Sequence, residues 1–278
     1  MNLNKLLRSN INGMTPYSSA RDEYKDLEAD MVFLDANENP FDNSLNRYPD
    51  PQQTALKKLI SAQKKVPTDQ ILLGNGSDEV LDLIFRAFCE PNQDRILTFP
   101  PTYGMYDVLA NLNAIKNIQV PLTSDFNLDV DRILKQVQPE TKLLCICSPN
   151  NPSGNVVDRK AVERLLKAFN GLVIIDEAYI DFSNEVSWTA YLNMYPNLIV
   201  TQTLSKAYGL AGIRLGICYA SKDIIAVLNN IKPPYNINTL TQNAAIEALQ
   251  NREVVTEQIA LILKERAHLT TAFESYSF

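Results

Sequence analysis

Residues 172–182 read LVIIDEAYIDF. Leu172–Ile175 form a continuous apolar run of strand length, the pattern of a strand covered on both faces. Asp176 closes the run, so its carboxylate is expected at or near the interior. A charge there is costly unless a cation or hydrogen-bond donors meet it. The plainer reading is an aspartate at a strand end capping the next element.

The same strand-then-helix alternation extends both ways from about residue 70. ILL (71–73) precedes DEVLDLIFRAFC (78–89), where Val80, Leu81, Ile84, Phe85 and Phe88 fall at helical spacing. RILTF (95–99) precedes a helix after Tyr103, IQVPL (118–122) a helix over 128–137, and KLLCICS (142–148) the helix DRKAVERLLKAF (158–169). NLIVTQT (197–203), RLGICYA (214–220) and the helix KDIIAVLNNI (222–231) continue the pattern. Repeated units of this kind predict an α/β fold: a mainly parallel central sheet with helices on both faces. Residues 1–41 show little periodicity and read as an N-terminal arm, and 42–232 as one large domain. After the Pro-Pro break in PPYNIN (233–238), two helical stretches, 239–250 and 252–273, read as the start of a smaller, incomplete domain spanning 233–278.

Composition narrows the chemistry. The net charge of -6, with no basic run, argues against nucleic acid and anionic membranes. No apolar stretch approaches the roughly 18 residues of a membrane span. The N-terminus lacks the apolar core of a signal peptide, so a cytoplasmic enzyme is expected. The single histidine, His268, falls in a late helical pattern and reads as a solvated surface residue; histidine-based triads and histidine-rich metal sites are thereby nearly excluded. The four cysteines read as buried reduced thiols, with Cys145 and Cys147 on one strand face. An enzyme built this way needs a cofactor to supply its chemistry.

In open α/β sheets, ligands bind beyond the carboxyl ends of strands. GNGSDE (74–79) follows the first strand, and the backbone N–H groups at Ser77 and Asp78 open a helix able to hold a phosphate. Read alone, Ser and Asp there favour helix capping, and Glu79 takes the place of a dinucleotide motif's third glycine. PPTYGMY (100–106) sets Tyr103 where it can cover an aromatic ligand, and PNNPSG (149–154) forms a turn carrying two side-chain amides. In TLSKAYGLAGIRLG (203–216), Lys206 follows Ser205 and precedes Arg214 by eight positions. A lysine at the end of a covered strand is expected to be desolvated, which favours covalent chemistry with a carbonyl. Ser205 and Arg214 supply a hydroxyl and a fixed charge for a phosphate. A protonated pyridine nitrogen would satisfy Asp176, and Tyr179 is spaced to donate to an oxygen on the same ring. A reactive amine, a ring-nitrogen acid, a ring-oxygen donor and phosphate ligands together meet the needs of one cofactor, pyridoxal 5'-phosphate.

With DANENP, RYPDP, GNGSDE, FPPTYGMY, SPNNPSG, IIDEAYIDF and TLSKAYGLAGIRLG in order, the chain resembles the fold-type I pyridoxal-phosphate enzymes, and among them the histidinol-phosphate aminotransferase family. The resemblance implies transamination between histidinol phosphate and 2-oxoglutarate in histidine biosynthesis. It implies that Lys206 carries the cofactor, that Asp176 partners the pyridine nitrogen, and that Tyr179 and Asn151 meet the ring oxygen. Tyr103 is similar to the stacking tyrosine, and Ser77, Asp78, Ser205 and Arg214 to the phosphate cup. Tyr48 resembles a tyrosine that reaches the cofactor of a neighbouring subunit, which implies a homodimer. Tyr17 and Asn39 resemble substrate-side residues. The family's substrate-binding arginines have no counterpart after Arg266, so the resemblance also implies that about 70 residues are missing, with turnover impaired accordingly. Three other readings stand beside it. An aromatic aminotransferase or a phosphothreonine-type decarboxylase would share the cofactor residues. A nicotinamide-dependent oxidoreductase leaves Lys206 and Tyr179 unexplained. The third is a non-catalytic binding protein on the same fold.

Overall fold

Seven strands make up one sheet in the computed structural model of the chain, which describes residues 2–15 and 32–276. They are β1 (Ile71–Asn75), β2 (Arg95–Thr98), β3 (Lys116–Gln119), β4 (Thr141–Cys147), β5 (Leu172–Asp176), β6 (Leu198–Thr203) and β7 (Leu215–Ala220), in spatial order β1-β7-β6-β5-β4-β2-β3. The β2, β3, β4, β5 and β6 pairings are parallel, whereas β7 runs antiparallel to both of its neighbours, β1 and β6. The strand-then-helix expectation fails at β7 for a geometric reason. A parallel crossover uses a dozen or more residues, usually with a helix. The 204–214 connection holds only the 3-10 turn Ala211–Ile213, so the chain doubles back.

Eight α-helices accompany the sheet among the described residues: α1 (Thr54–Lys64), α2 (Gly76–Phe88), α3 (Met105–Leu112), α4 (Val130–Gln136), α5 (Arg159–Ala168), α6 (Lys222–Ile231), α7 (Thr239–Gln250) and α8 (Arg252–Phe273). The alternation of each strand divides the core in two. Leu172 and Ile174 of β5 pack with side chains of α2, α3 and α6, while Val173 and Ile175 pack with those of α1, α4, α5 and α7. All four are fully buried, each contributing about 1.5–3 kcal/mol relative to exposure. Helices thus cover both faces, as expected.

Two local differences have physical causes. β3 lies two residues earlier than the apolar run 118–122 suggests, although Val120 and Leu122 N–H still donate to the Thr98 and Pro100 carbonyls at 2.9 and 2.8 Å; Pro121, whose ring has no N–H, sits where an edge strand needs none. Helix α1 escapes a reading that begins at residue 70, because lysines interrupt its stripe of Leu56, Leu59 and Ile60. The Asp50 carboxylate of RYPDP caps it, accepting from Thr54 N–H at 2.6 Å.

Residues 2–15 lie against α2: Leu3, Leu6 and Leu7 join its core cluster, and Ser9 donates to Glu90 through its backbone and hydroxyl. Helix α8 buries only Val255, and His268 on it is exposed, 3.8 Å from Glu265, as a solvated residue should be. The four cysteines are buried free thiols, and burial pushes Cys147 up to about 12. No helix among the described residues is long and apolar enough to cross a membrane.

Candidate active site

The sheet register sets the floor of the site. Asp176 ends β5 with Cys147 of β4 on one side and Thr201 of β6 on the other. Ser77, Asp78, Tyr103, Asn151, Asp176, Tyr179, Ser205, Lys206 and Arg214, drawn from five loops and strand ends, line one cavity there. Nine residues separated by up to 137 positions therefore meet at one cavity.

Asp176 is 2% exposed. Its carboxylate accepts from Tyr106 OH at 2.9 Å, Thr201 Oγ1 at 3.1 Å and Ala178 N–H at 3.2 Å. All three donors are neutral. Burial therefore outweighs them and raises the carboxyl above its ordinary value. Such an acid, lining a cavity, fits a cationic ring nitrogen. Its donors Tyr106 and Thr201 lie inside a helix and a strand, where a reading of strand ends does not reach them. Tyr106 sits in PPTYGMY three residues after Tyr103, on the inward face of α3, and helical spacing would have found it.

At the opposite wall, α2 presents its N-terminus. Neither Ser77 nor Asp78 caps the helix, against the plainer reading of GNGSDE. The N-cap is Asn75, and its N–H is taken by the Glu79 carboxylate. Asp78 instead accepts from Tyr103 OH at 3.0 Å and lies 3.5 Å from Arg214 Nη2. Burial, then the Asp78 charge, hold Tyr103 protonated. Gly76 has φ +80° and donates its N–H to the Arg214 carbonyl at 2.7 Å. Backbone approaches backbone closely here: a Cβ on Gly216 would lie 2.3 Å from the Gly76 carbonyl carbon and 2.4 Å from Ser77 N. Gly216→Ala is accordingly expected to destabilise the chain by about 1–3 kcal/mol by pushing α2 off β7, read as a lower denaturant midpoint.

Lys206 departs from expectation in one respect. It lines the cavity, with Nζ 5.5 Å from the Tyr179 ring centre, yet it is exposed rather than desolvated. The reason is that β6 ends at Thr203, three residues earlier. The turn carrying Lys206 is anchored by Thr203, whose Oγ1 donates to the Leu215 carbonyl at 2.9 Å and accepts from Ser205 N–H at 3.1 Å. Within PNNPSG the two amides divide their roles. Asn150 is buried and holds the turn, donating to the Pro101 carbonyl and to Ser153 and accepting from Thr102, while Asn151 faces the cavity.

Three expected residues stand apart. Tyr48 is half exposed and stacks on Tyr235 at 4.5 Å, beside a different cavity. Asn39 accepts from Phe41 N–H and lines neither that cavity nor the one at Lys206. Tyr17 lies outside the described residues. The cluster as a whole offers an amine, a buried acid with no cation bonded to it among the described residues, a helix N-terminus beside an arginine, and a tyrosine at the rim. That donor set fits the aldehyde, ring nitrogen, phosphate and ring face of pyridoxal phosphate.

Comparison with known proteins agrees. The family model for aminotransferases of class I and II matches residues 21–278. A histidinol-phosphate aminotransferase of Flavobacterium johnsoniae is 56% identical over 277 residues, covering 99% of this chain and 79% of that protein. Among solved structures, the histidinol-phosphate aminotransferase of Clostridium acetobutylicum superposes with TM-score 0.77 at 27% identity, covering 84% of this chain and 70% of that one. That of Sinorhizobium meliloti, in complex with pyridoxal-5'-phosphate, gives 0.76 at 25% identity, covering 81% and 62%. The chain belongs to the class I and II aminotransferase family and, within it, to the histidinol-phosphate aminotransferases.

Proposed function

We propose that the chain binds pyridoxal phosphate through Lys206 and transfers an amino group between histidinol phosphate and 2-oxoglutarate. The observation that carries this reading is Asp176, a buried carboxylate held by neutral donors only, in one cavity with an amine and a helix N-terminus. When bound, the cofactor supplies an aldehyde that takes up an amino group and a ring that accepts the electron pair left as a Cα–H bond breaks. Asp176 keeps the ring nitrogen protonated, so that the electron pair is drawn toward a positive charge. Lys206 Nζ would serve as the base, and then the acid, for the proton of the substrate's Cα–H bond. Tyr179 OH and the Asn151 amide would hold the ring oxygen, and Tyr103 would cover the ring. The Ser77 and Asp78 N–H groups, Ser205 Oγ and Arg214 bind the phosphate.

Tyr48 lies outside its own chain's cofactor cavity. Its part in the site is to reach the phosphate of a second copy, which makes the working unit a homodimer, placed in the cytoplasm with the rest of histidine biosynthesis. Tyr17 and Asn39 belong to the substrate side. Product analysis tests the reaction. Chain loaded with pyridoxal phosphate and given histidinol phosphate with 2-oxoglutarate is expected to yield equimolar imidazole-acetol phosphate and glutamate. Carbon dioxide from phosphothreonine, with no glutamate formed, would reject it.

A further inference from the structure

PPYNIN reads as a break between domains, yet its first asparagine, Asn236, makes three side-chain hydrogen bonds, two of them at the phosphate-binding end of α2. Asn236 Nδ2 donates to the Leu73 carbonyl at 3.0 Å and to Glu79 Oε2 at 2.8 Å. Its Oδ1 accepts from Lys232 Nζ at 3.2 Å, which fixes the direction of the amide. Lys232 is buried and also donates among the carbonyls of Pro51, Pro233 and Pro234. The same Glu79 oxygen takes the Asn75 N–H. A Cβ on Gly74 would lie 2.7 Å from Val80 Cγ2 and 3.3 Å from Glu79 Oε2, so the glycine lets the first turn of α2 close over β1.

Glu79 is an awkward neighbour for a phosphate. Its charge sits one turn into the helix whose first amides must receive a dianion. The positive end of the helix attracts that carboxylate as it does a phosphate, and Glu79 is held in the arrangement of a capping box, on the N–H of the N-cap Asn75. Held by Asn236, Glu79 satisfies Asn75, while Gly76 N–H goes to the Arg214 carbonyl. The Ser77 and Asp78 amides are left for the ligand.

We propose that Asn236 is a positioning residue for cofactor binding: it parks the Glu79 carboxylate away from the amides that take the phosphate. The inference rests on the cofactor reading above and adds to it the control of a competing charge by the segment that follows α6.

Two ligands that form no bond with Lys206 separate the phosphate from the ring. These are pyridoxamine phosphate and pyridoxamine, titrated calorimetrically into the cofactor-free full chain. Asn236→Ala is expected to raise the Kd of pyridoxamine phosphate about 10-fold, the size of one charge-assisted hydrogen bond, and that of pyridoxamine less than about 2-fold. Adding Glu79→Gln to Asn236→Ala removes the stray charge and should recover most of the loss, which a purely structural role would not allow. If Asn236→Ala does not fold, Asn236→Ser carries the same comparison, and Glu79→Gln alone should leave phosphate affinity equal or higher. Equal weakening of both ligands, or no recovery in the double variant, overturns the inference. A wild-type chain that binds neither ligand overturns the cofactor reading itself, and this proposal with it.

Discussion

Lys206→Ala should abolish covalent uptake of pyridoxal phosphate. Among the described residues Lys206 is the one lysine lining the cavity that also holds Asp176, Tyr179 and Arg214. Borohydride treatment of the loaded wild-type chain is expected to fix the cofactor's mass on the peptide containing Lys206, and on no peptide of the variant. The yellow colour of the loaded protein goes with it. The phosphate ligands and Asp176 are untouched by this change, so non-covalent binding should persist. Proton transfer at Cα loses its base, and loss of general acid–base catalysis alone is worth about 10²–10⁴-fold in rate. The exposure of Lys206 sharpens the test, because no apolar pocket would be emptied and the fold should survive within about 0.5 kcal/mol. Unchanged colour and turnover in a folded Lys206→Ala protein would remove the central claim.

Much of this site is legible in sequence because strands and their first loop residues are local features. An apolar run ending in Asp176, or a Ser-Lys pair after NLIVTQT, announces a strand end whatever the rest of the chain does. Since every parallel strand delivers its end to one edge of the sheet, those residues must converge. What escapes is set by contacts across the sheet. The burial of Asp176 is completed by Tyr106, 70 positions away, and by Thr201 on the neighbouring strand. The reversal of β7 depends on the shortness of one connection, which an alternating pattern hides. The exposure of Lys206 depends on where β6 stops, and strand ends are fixed by partner registers rather than by the strand's own residues. Asn236 shows the same limit from the other side. Its Pro-Pro context reads as a break, and only the fold brings it to Glu79, 157 positions earlier.

Asp176→Asn should make the cofactor-free chain more stable and the loaded chain nearly inactive. The carboxyl's folded value is raised above its unfolded one, chiefly by burial and against the hydrogen bonds of Tyr106, Thr201 and Ala178. Its contribution to stability is therefore fully present below the unfolded value of about 3.9 and is lost as pH rises through the raised folded value. At neutral pH the cofactor-free wild type carries that loss. The amide oxygen takes the place of Oδ1, accepting from Thr201 Oγ1 and Ala178 N–H, its NH2 donates to the Tyr106 hydroxyl, and there is no charge to bury, so its stability lacks this decline. The gap between the two proteins should open as pH rises from about 4 toward 7, read from denaturant midpoints without cofactor. Binding reverses the order. On the proposed reading a protonated ring nitrogen would supply a cation beside Asp176, and the wild type would gain an ion pair which the amide cannot make. Without it the ring gives up its proton and draws electrons poorly, and turnover should fall by about 10²–10³-fold, the scale of losing one preorganised electrostatic partner. A loaded Asp176→Asn chain with turnover near wild type, or a cofactor-free one that is less stable than wild type at pH 7, would show that the buried charge is not there for the ring nitrogen.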